Sequence, residues 1–358
     1  MEYWTTLSHG DPRDGAAQAA RLEADGWDGV VMYDSQCMFP EVWTSLALCA
    51  NATTRIKLAT GVTNPITRHP SVTAAAAASI QLMSEGRAVL GVGRGDSALA
   101  YVGASPMPIG KFEHYLNILQ TYLRGEDVPM EDASAMVAGA NVGFKNLAIG
   151  AGPSGSRLKW LDDFHMPKVP LEAFATGPKA IESAARTADR VVLGLAAETN
   201  RLRWGIDLAR SAARAAGRDD VGVGAVVQVV PHHDVDIARR LAGPTVASMA
   251  RFSVMNHKVL GPTTERQAEI MLKIAEVYDM NKHGKGAAAQ TDALDAEFID
   301  QFGIVGTAET CVARLRELES LGLDRVTVSV PPIQDPELEV SYEILRNEVL
   351  PQVTSRVA

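Results

Sequence analysis

Short runs of β-branched and apolar residues alternate along the chain with longer stretches in which apolar positions recur every three or four residues. That alternation is the mark of βα units around a parallel sheet. Eight runs read as strands: Tyr3–Leu7, Gly29–Tyr33, Ile56–Thr63, Ala88–Gly93, Val169–Thr176, Val191–Leu195, Val221–Val230 and Arg325–Val330. Eight parallel strands can close on themselves, so the predicted fold is α/β, a (β/α)8 TIM barrel, with a doubly wound sheet as the structural alternative. Between the runs lie helices such as Asp14–Ala24, stopped by Asp25-Gly26, and Phe112–Arg124, stopped by Gly125. In the second, Phe112, Tyr115, Leu116, Leu119 and Leu123 share one face that covers the sheet. The Ala74–Ala78 run follows Pro70 and reads as a helix whose small side chains let it pack close to a strand.

Two stretches, about 126–167 and 244–302, exceed ordinary βα connections and are expected to be long insertions at the C-terminal face of the strands. They carry Trp160, Phe164, Phe252 and Met255, an apolar set suited to covering the barrel mouth. No composition break marks a linker, so a single domain over 1–358 is expected.

Composition narrows the function classes. Of 358 residues, 46% are hydrophobic and 22% charged, enough to form a large core, and the net charge is −9. With no basic run, neither nucleic acid nor an anionic membrane surface is an expected partner. The start lacks a signal-peptide pattern and no apolar stretch approaches the ~20 residues of a membrane span, so the expected location is cytoplasmic. Cys37, Cys49 and Cys311 are odd in number and widely spaced, which suggests neither disulfides nor zinc. His232-His233-Asp234 lacks ligand spacing, and no metal is expected. Gly-x-Ser-x-Gly is absent after any strand, which removes hydrolase chemistry of that kind.

Barrel enzymes place their sites at the C-terminal ends of strands, so polar residues following the apolar runs carry the candidate chemistry. These are Asp34-Ser35-Gln36, Gly61-Val62-Thr63-Asn64, Gly93-Arg94-Gly95-Asp96, Thr176-Gly177-Pro178 and the turn beginning at Gly194. Gly93–Asp96 matches neither dinucleotide nor P-loop patterns, and by itself reads as a tight turn or as backbone opened to a planar ring or phosphate. Gly177 before Pro178 leaves free N–H groups at a helix start, a phosphate-binding arrangement that many βα junctions share without binding anything.

The stretch Thr60-Gly61-Val62-Thr63-Asn64-Pro65-Ile66-Thr67-Arg68-His69-Pro70, followed by Ser84-Glu85-Gly86-Arg87-Ala88-Val89-Leu90-Gly91-Val92-Gly93-Arg94-Gly95-Asp96, closely resembles the bacterial-luciferase-like superfamily. Within it the similarity is to the methylenetetrahydromethanopterin-reductase-like branch, many of whose members depend on the deazaflavin coenzyme F420. Asp34, the Gly177-Pro178 turn and Phe302-Gly303-Ile304-Val305-Gly306-Thr307 take the family's places too. The resemblance implies a non-prolyl cis peptide at Gly61-Val62 and a cofactor pocket of Asp34, Thr60, Gly61, Val62, Asn64, Gly93, Arg94, Asp96, Thr176, Gly177, Pro178 and Gly194. Asp34, Asn64 and Asp96 become the catalytic candidates. The implied activity is an oxidoreductase moving a hydride between reduced F420 and a small organic substrate, in a homodimer. Two alternatives stand beside it: a two-component monooxygenase using reduced FMN from a separate reductase together with oxygen, and a non-catalytic flavin-binding protein. Arg94 supports FMN, since luciferase-type enzymes carry an arginine at the comparable turn for its phosphate. Ser35 replaces a histidine found in several deazaflavin enzymes.

Overall fold

The computed structural model describes residues 1–8, 10–137, 147, 149–219, 221–255, 257–283, 288–331 and 335–354. Seven parallel strands follow one another: β1 (Glu2–Leu7), β2 (Gly29–Met32), β3 (Lys57–Thr60), β4 (Ala88–Val92), β5 (Leu171–Ala175), β6 (Arg190–Leu193) and β7 (Gly222–Pro231). A short β8 (Ile304–Gly306) and then β9 (Arg325–Ser329) complete the sheet. Each of β1 to β6 pairs with the next strand in sequence, β7 pairs with β9, and β9 returns to β1. The ring is therefore a closed barrel of eight parallel strands, and each of its strands overlaps one of the eight runs expected from the pattern. The extra strand, β8, extends the wall: β9 pairs with Gly224–Gln228 of β7, and β8 with the last three residues, Val229–Pro231.

Helices α1 (Pro12–Asp25), α2 (Val42–Ala52), α3 (Pro70–Met83), α4 (Ile109–Leu123), α5 (Pro178–Thr187), α6 (Thr199–Ala215), α7 (Val235–Phe252), α8 (Glu265–Val277) and α9 (Ala308–Ser320) pack outside or over the mouth. Local chemistry sets their ends. Asp11 accepts from the Arg13 backbone N–H at 2.8 Å to start α1, and Gly26 stops it with φ of 100°. The expected apolar face of α4 is buried at all five positions, Phe112 to Leu123. The second expected insertion begins differently from the pattern's suggestion: Pro244 lies inside α7, which runs on to Phe252. Beyond it, a hairpin of Val254–Met255 with Lys258–Val259, then α8 and a helix over Ala296–Phe302, build a small apolar core of their own around Leu241, Met271, Phe298 and Phe302. Part of the first insertion, 138–146 and 148, lies outside the described residues. Among the described residues no helix is long and apolar enough to cross a membrane.

The barrel interior is layered. At the strand starts, Glu172 of β5 accepts from Arg325 of β9 at 2.8 Å and from Arg190 of β6 at 3.1 Å, and a second Arg325–Glu172 contact completes a two-armed pair. Arg325 lies over the Trp4 ring, 4.1 Å from its centroid. Next come Trp4, Val31, Ala59 and Val89, a dry apolar layer. Gly29 is required beside it, because a Cβ there would stand 2.3 Å from the Trp4 ring. Ions and rings thus plug the barrel from below. Cys49 and Cys311 are fully buried, and burial pushes both thiols up to about 12, so neither is a reactive thiolate near neutral pH.

Candidate active site at the barrel mouth

Side chains at the upper ends of the strands keep partial exposure, in contrast to the layers beneath them: Thr6, Tyr33, Val62, Phe174, Thr176 and Val226, which strand alternation turns toward the barrel axis, outline a bowl at the mouth. The Gly61–Val62 peptide bond at its wall is cis, as the family resemblance implies. Three glycines shape the surface. A Cβ on Gly61 would stand 2.5 Å from Val31 Cβ, one on Gly93 2.8 Å from Val62 Cγ2, and one on Gly194 2.2 Å from Phe174 Cζ. Their absence lets Val62 and Phe174 lie against the wall as apolar surface. The β3–β4 junction is locked around this point. The Thr60 hydroxyl donates to the Gly91 carbonyl at 2.7 Å and accepts from the Gly91 N–H at 3.0 Å, while the Thr63 N–H donates to the same carbonyl at 2.9 Å.

Polar groups rim the bowl. Asp34 is buried; its Oδ2 accepts from the Thr63 hydroxyl at 2.6 Å and pairs with Arg68, which also holds Glu41 at 2.9 Å. Asn64 accepts from the Ile66 and Thr67 N–H groups through Oδ1, both at 3.0 Å, and its buried Nδ2 has no partner among the described residues. A buried donor of this kind calls for an acceptor, which a water or a ligand atom can supply. Arg94 donates through Nε to the Met107 carbonyl at 2.6 Å, so its stem is fixed to its own loop. Gly177 caps α5 without a side chain, and a Cβ there would stand 2.7 Å from Leu260. Leu260 is held over it by Arg201, a fully buried guanidinium that donates to the carbonyls of Leu260 and Pro262 at 2.8 and 2.9 Å.

The long second segment reaches down to the same rim. Arg251, at the end of α7, pairs with Asp96 and sits 4.8 Å from the ring centroids of both Phe252 and Tyr278. Phe252 in turn meets Phe174 edge to face at 6.2 Å. The Tyr278 hydroxyl bonds Ser248 at 2.8 Å and His283 Nδ1 at 2.6 Å. The structure therefore brings Asp34, Asn64 and the Gly61–Val62 bond to one wall and ties Asp96 to the cover. Arg251, Tyr278 and Leu260 have no local motif in the sequence; only folding places them here.

His283 makes the cover sensitive to acid. Burial and the nearby Arg251 charge lower its pKa, so the folded state disfavours its cation. Because the unfolded chain binds that proton more readily, stability is lost as the pH falls through about 6.5 and below. The melting temperature of the wild type should thus drop more steeply between about pH 7 and 5 than that of His283→Gln; parallel curves would refute this assignment.

The sequence profile of the family described as luciferase-like monooxygenase matches residues 3–325. The chain belongs to this family. This luciferase-like protein is 28% identical over 348 residues to the 5,10-methylenetetrahydromethanopterin reductase of Methanolobus tindarius, covering 95% of this chain and 97% of that one. Its fold matches that of the coenzyme F420 dependent tetrahydromethanopterin reductase from Methanopyrus kandleri, with a TM-score of 0.71, 24% identity and 99% of both chains covered. An F420-dependent secondary alcohol dehydrogenase, solved with an F420-acetone adduct, matches with a TM-score of 0.70, 21% identity and 99% of both chains covered. In the luciferase-like chain, the two motifs that carry the resemblance, 60–70 and 84–96, meet at the bowl through the Thr60–Gly91 lock.

Proposed function

We propose that this protein is an F420-dependent oxidoreductase whose cofactor ring seats in the bowl against Gly61–Val62. The observation that carries this reading is the match between the wall and such a ring: apolar surface from Val62 and Phe174 beside an unsatisfied donor on Asn64. A planar conjugated ring with polar edges satisfies both. The near full-length similarity to methylenetetrahydromethanopterin reductases supports F420 over FMN. When bound, reduced F420 supplies a hydride.

The chain's own residues do the rest. Asn64 donates to the ring edge from Nδ2. Asp34, paired with Arg68, holds the wall by fixing Thr63. Thr176, Gly177 and the start of α5 take the cofactor's phosphate-bearing tail, and Gly194 keeps the wall beside them low. Asp96, engaged by Arg251, anchors the cover that excludes water. Anaerobic mixing with reduced F420 and either methylenetetrahydromethanopterin or small ketones tests the activity. Return of oxidised F420 absorbance with one of them is the expected result, whereas rapid oxygen-dependent oxidation of reduced FMN with no F420 turnover would establish the monooxygenase instead.

A further inference from the structure

The inner wall carries a hydroxyl cluster that the cofactor reading leaves without a role. Tyr33 directly follows β2, and the alternation along that strand, with Gly29 against the Trp4 ring and Val31 in the interior apolar layer, turns its side chain into the barrel. There its phenol oxygen lies beside the hydroxyls of Thr6 on β1 and Ser329 on β9. Thr6 also accepts from the Val330 N–H at 2.9 Å, which fixes the hydroxyl's position. The ring is braced by Phe39, with centroids 5.3 Å apart. Tyr33 and Thr6 keep partial exposure to the bowl, while Ser329 is buried behind them.

The other acids at the mouth are engaged. Asp34 is bound to Arg68 and Thr63, Asp96 to Arg251, and His283 to Tyr278. Among the described residues on the bowl's inner wall, Tyr33 alone carries an acidic proton. We propose that Tyr33 is a catalytic residue that exchanges a proton with the oxygen of a carbonyl or secondary-alcohol substrate. This rests on the F420-dependent reading above and adds the substrate class to it.

In the reducing direction the carbonyl carbon accepts the hydride that reduced F420 supplies, forming the new C–H bond. The carbonyl π pair moves onto oxygen, and the Tyr33 proton forms the O–H bond. The phenolate left behind is held by the Thr6 and Ser329 hydroxyls and regains a proton from water by way of partly exposed Thr6. Burial raises the Tyr33 pKa, so the phenol keeps its proton until a strongly basic oxygen develops beside it, and the neighbouring Thr6 and Ser329 hydroxyls partly offset the cost of its ionisation.

Tyr33→Phe keeps the ring and its packing, and Thr6→Val provides a second variant that removes the relay without touching the phenol. Three readouts apply: F420 affinity by fluorescence titration, single-turnover oxidation of reduced F420 by acetone and longer ketones, and alkaline ultraviolet difference spectra of tyrosine ionisation. The expected result for Tyr33→Phe is an unchanged F420 Kd with single-turnover rates lower by about a hundredfold or more. The difference spectrum should also lose one late-ionising phenol whose transition, in the wild type, shifts when F420 and ketone are both bound. Thr6→Val should slow turnover by a smaller factor at unchanged Kd. A Tyr33→Phe rate equal to the wild type, or a rate loss matched by an equal loss of F420 affinity, would overturn the proton-transfer role. A wild type that binds F420 but reduces no ketone overturns the substrate class, and one that binds no F420 removes the functional reading and this inference together.

Discussion

Glu172→Ala is expected to destabilise the barrel by about 3–5 kcal/mol, because it strands two guanidinium groups at the barrel base. Glu172 and Arg325 are 5% and 2% exposed at the side chain, so Arg325 could not recover its lost partner from water. Such a loss is a large part of the roughly 5–15 kcal/mol that holds a domain together. The urea midpoint should fall sharply, with F420 binding lost only as the fold is lost. Replacing the set together with apolar residues, Glu172→Leu with Arg190→Leu and Arg325→Met, removes the unpaired charges and should recover most of the stability. A Glu172→Ala midpoint equal to the wild type would mean that the base of the barrel is wetter than its geometry indicates.

Gly91→Ala should damage both the fold and the cofactor pocket through a single methyl group. Its Cβ would stand 2.1 Å from the carbonyl oxygen of Thr60, a backbone atom that cannot swing aside. Thr60 precedes Gly61–Val62 and is bound to Gly91 in both directions, so any relief of the clash must move the wall itself. Overpacking of this kind costs about 1–3 kcal/mol, and F420 affinity should weaken at least about tenfold. Gly110→Ala is the control. It lies in the first turn of α4 with nothing within 4 Å of the added methyl, and should be neutral or slightly stabilising. Equal behaviour of the two variants would dissociate the Thr60–Gly91 lock from binding.

The barrel was legible because fully buried parallel strands write themselves as unbroken apolar runs, as in Gly29-Val30-Val31-Met32 and Ala88-Val89-Leu90-Gly91-Val92. β8 escaped because a three-residue strand, Ile304–Gly306, is too short to show a period. The stretch from 244 on read as an insertion, yet Pro244 lies within α7, where tertiary packing of the neighbouring Leu241, Val246 and Ala247 outweighs its local cost. The ionic base was hidden for another reason. Glu172, Arg190 and Arg325 are single charges at strand starts and look like solvent-facing ends until the ring closes and points them at one another.

At the mouth, Asp34, Asn64 and Gly61–Val62 stood out as candidates because each lies just beyond the C-terminal end of a strand. The partners that decide what those groups can do did not. Arg68 stands 34 residues along the chain from Asp34, Arg251 stands 155 from Asp96, and Thr6, Tyr33 and Ser329 come from strands at opposite ends of the sequence. The bridge from Asp96 to Arg251 is the clearest case, since nothing near Asp96 in the chain announces its partner.

A bowl suited to a deazaflavin ring should prefer F420 to FMN, and parallel fluorescence titrations of the purified protein with the two cofactors test this most directly. Saturable F420 binding that is weakened by Gly91→Ala but not by Gly110→Ala, with FMN bound at least about tenfold more weakly, is the predicted result. Saturable FMN binding in the absence of F420 binding would contradict it.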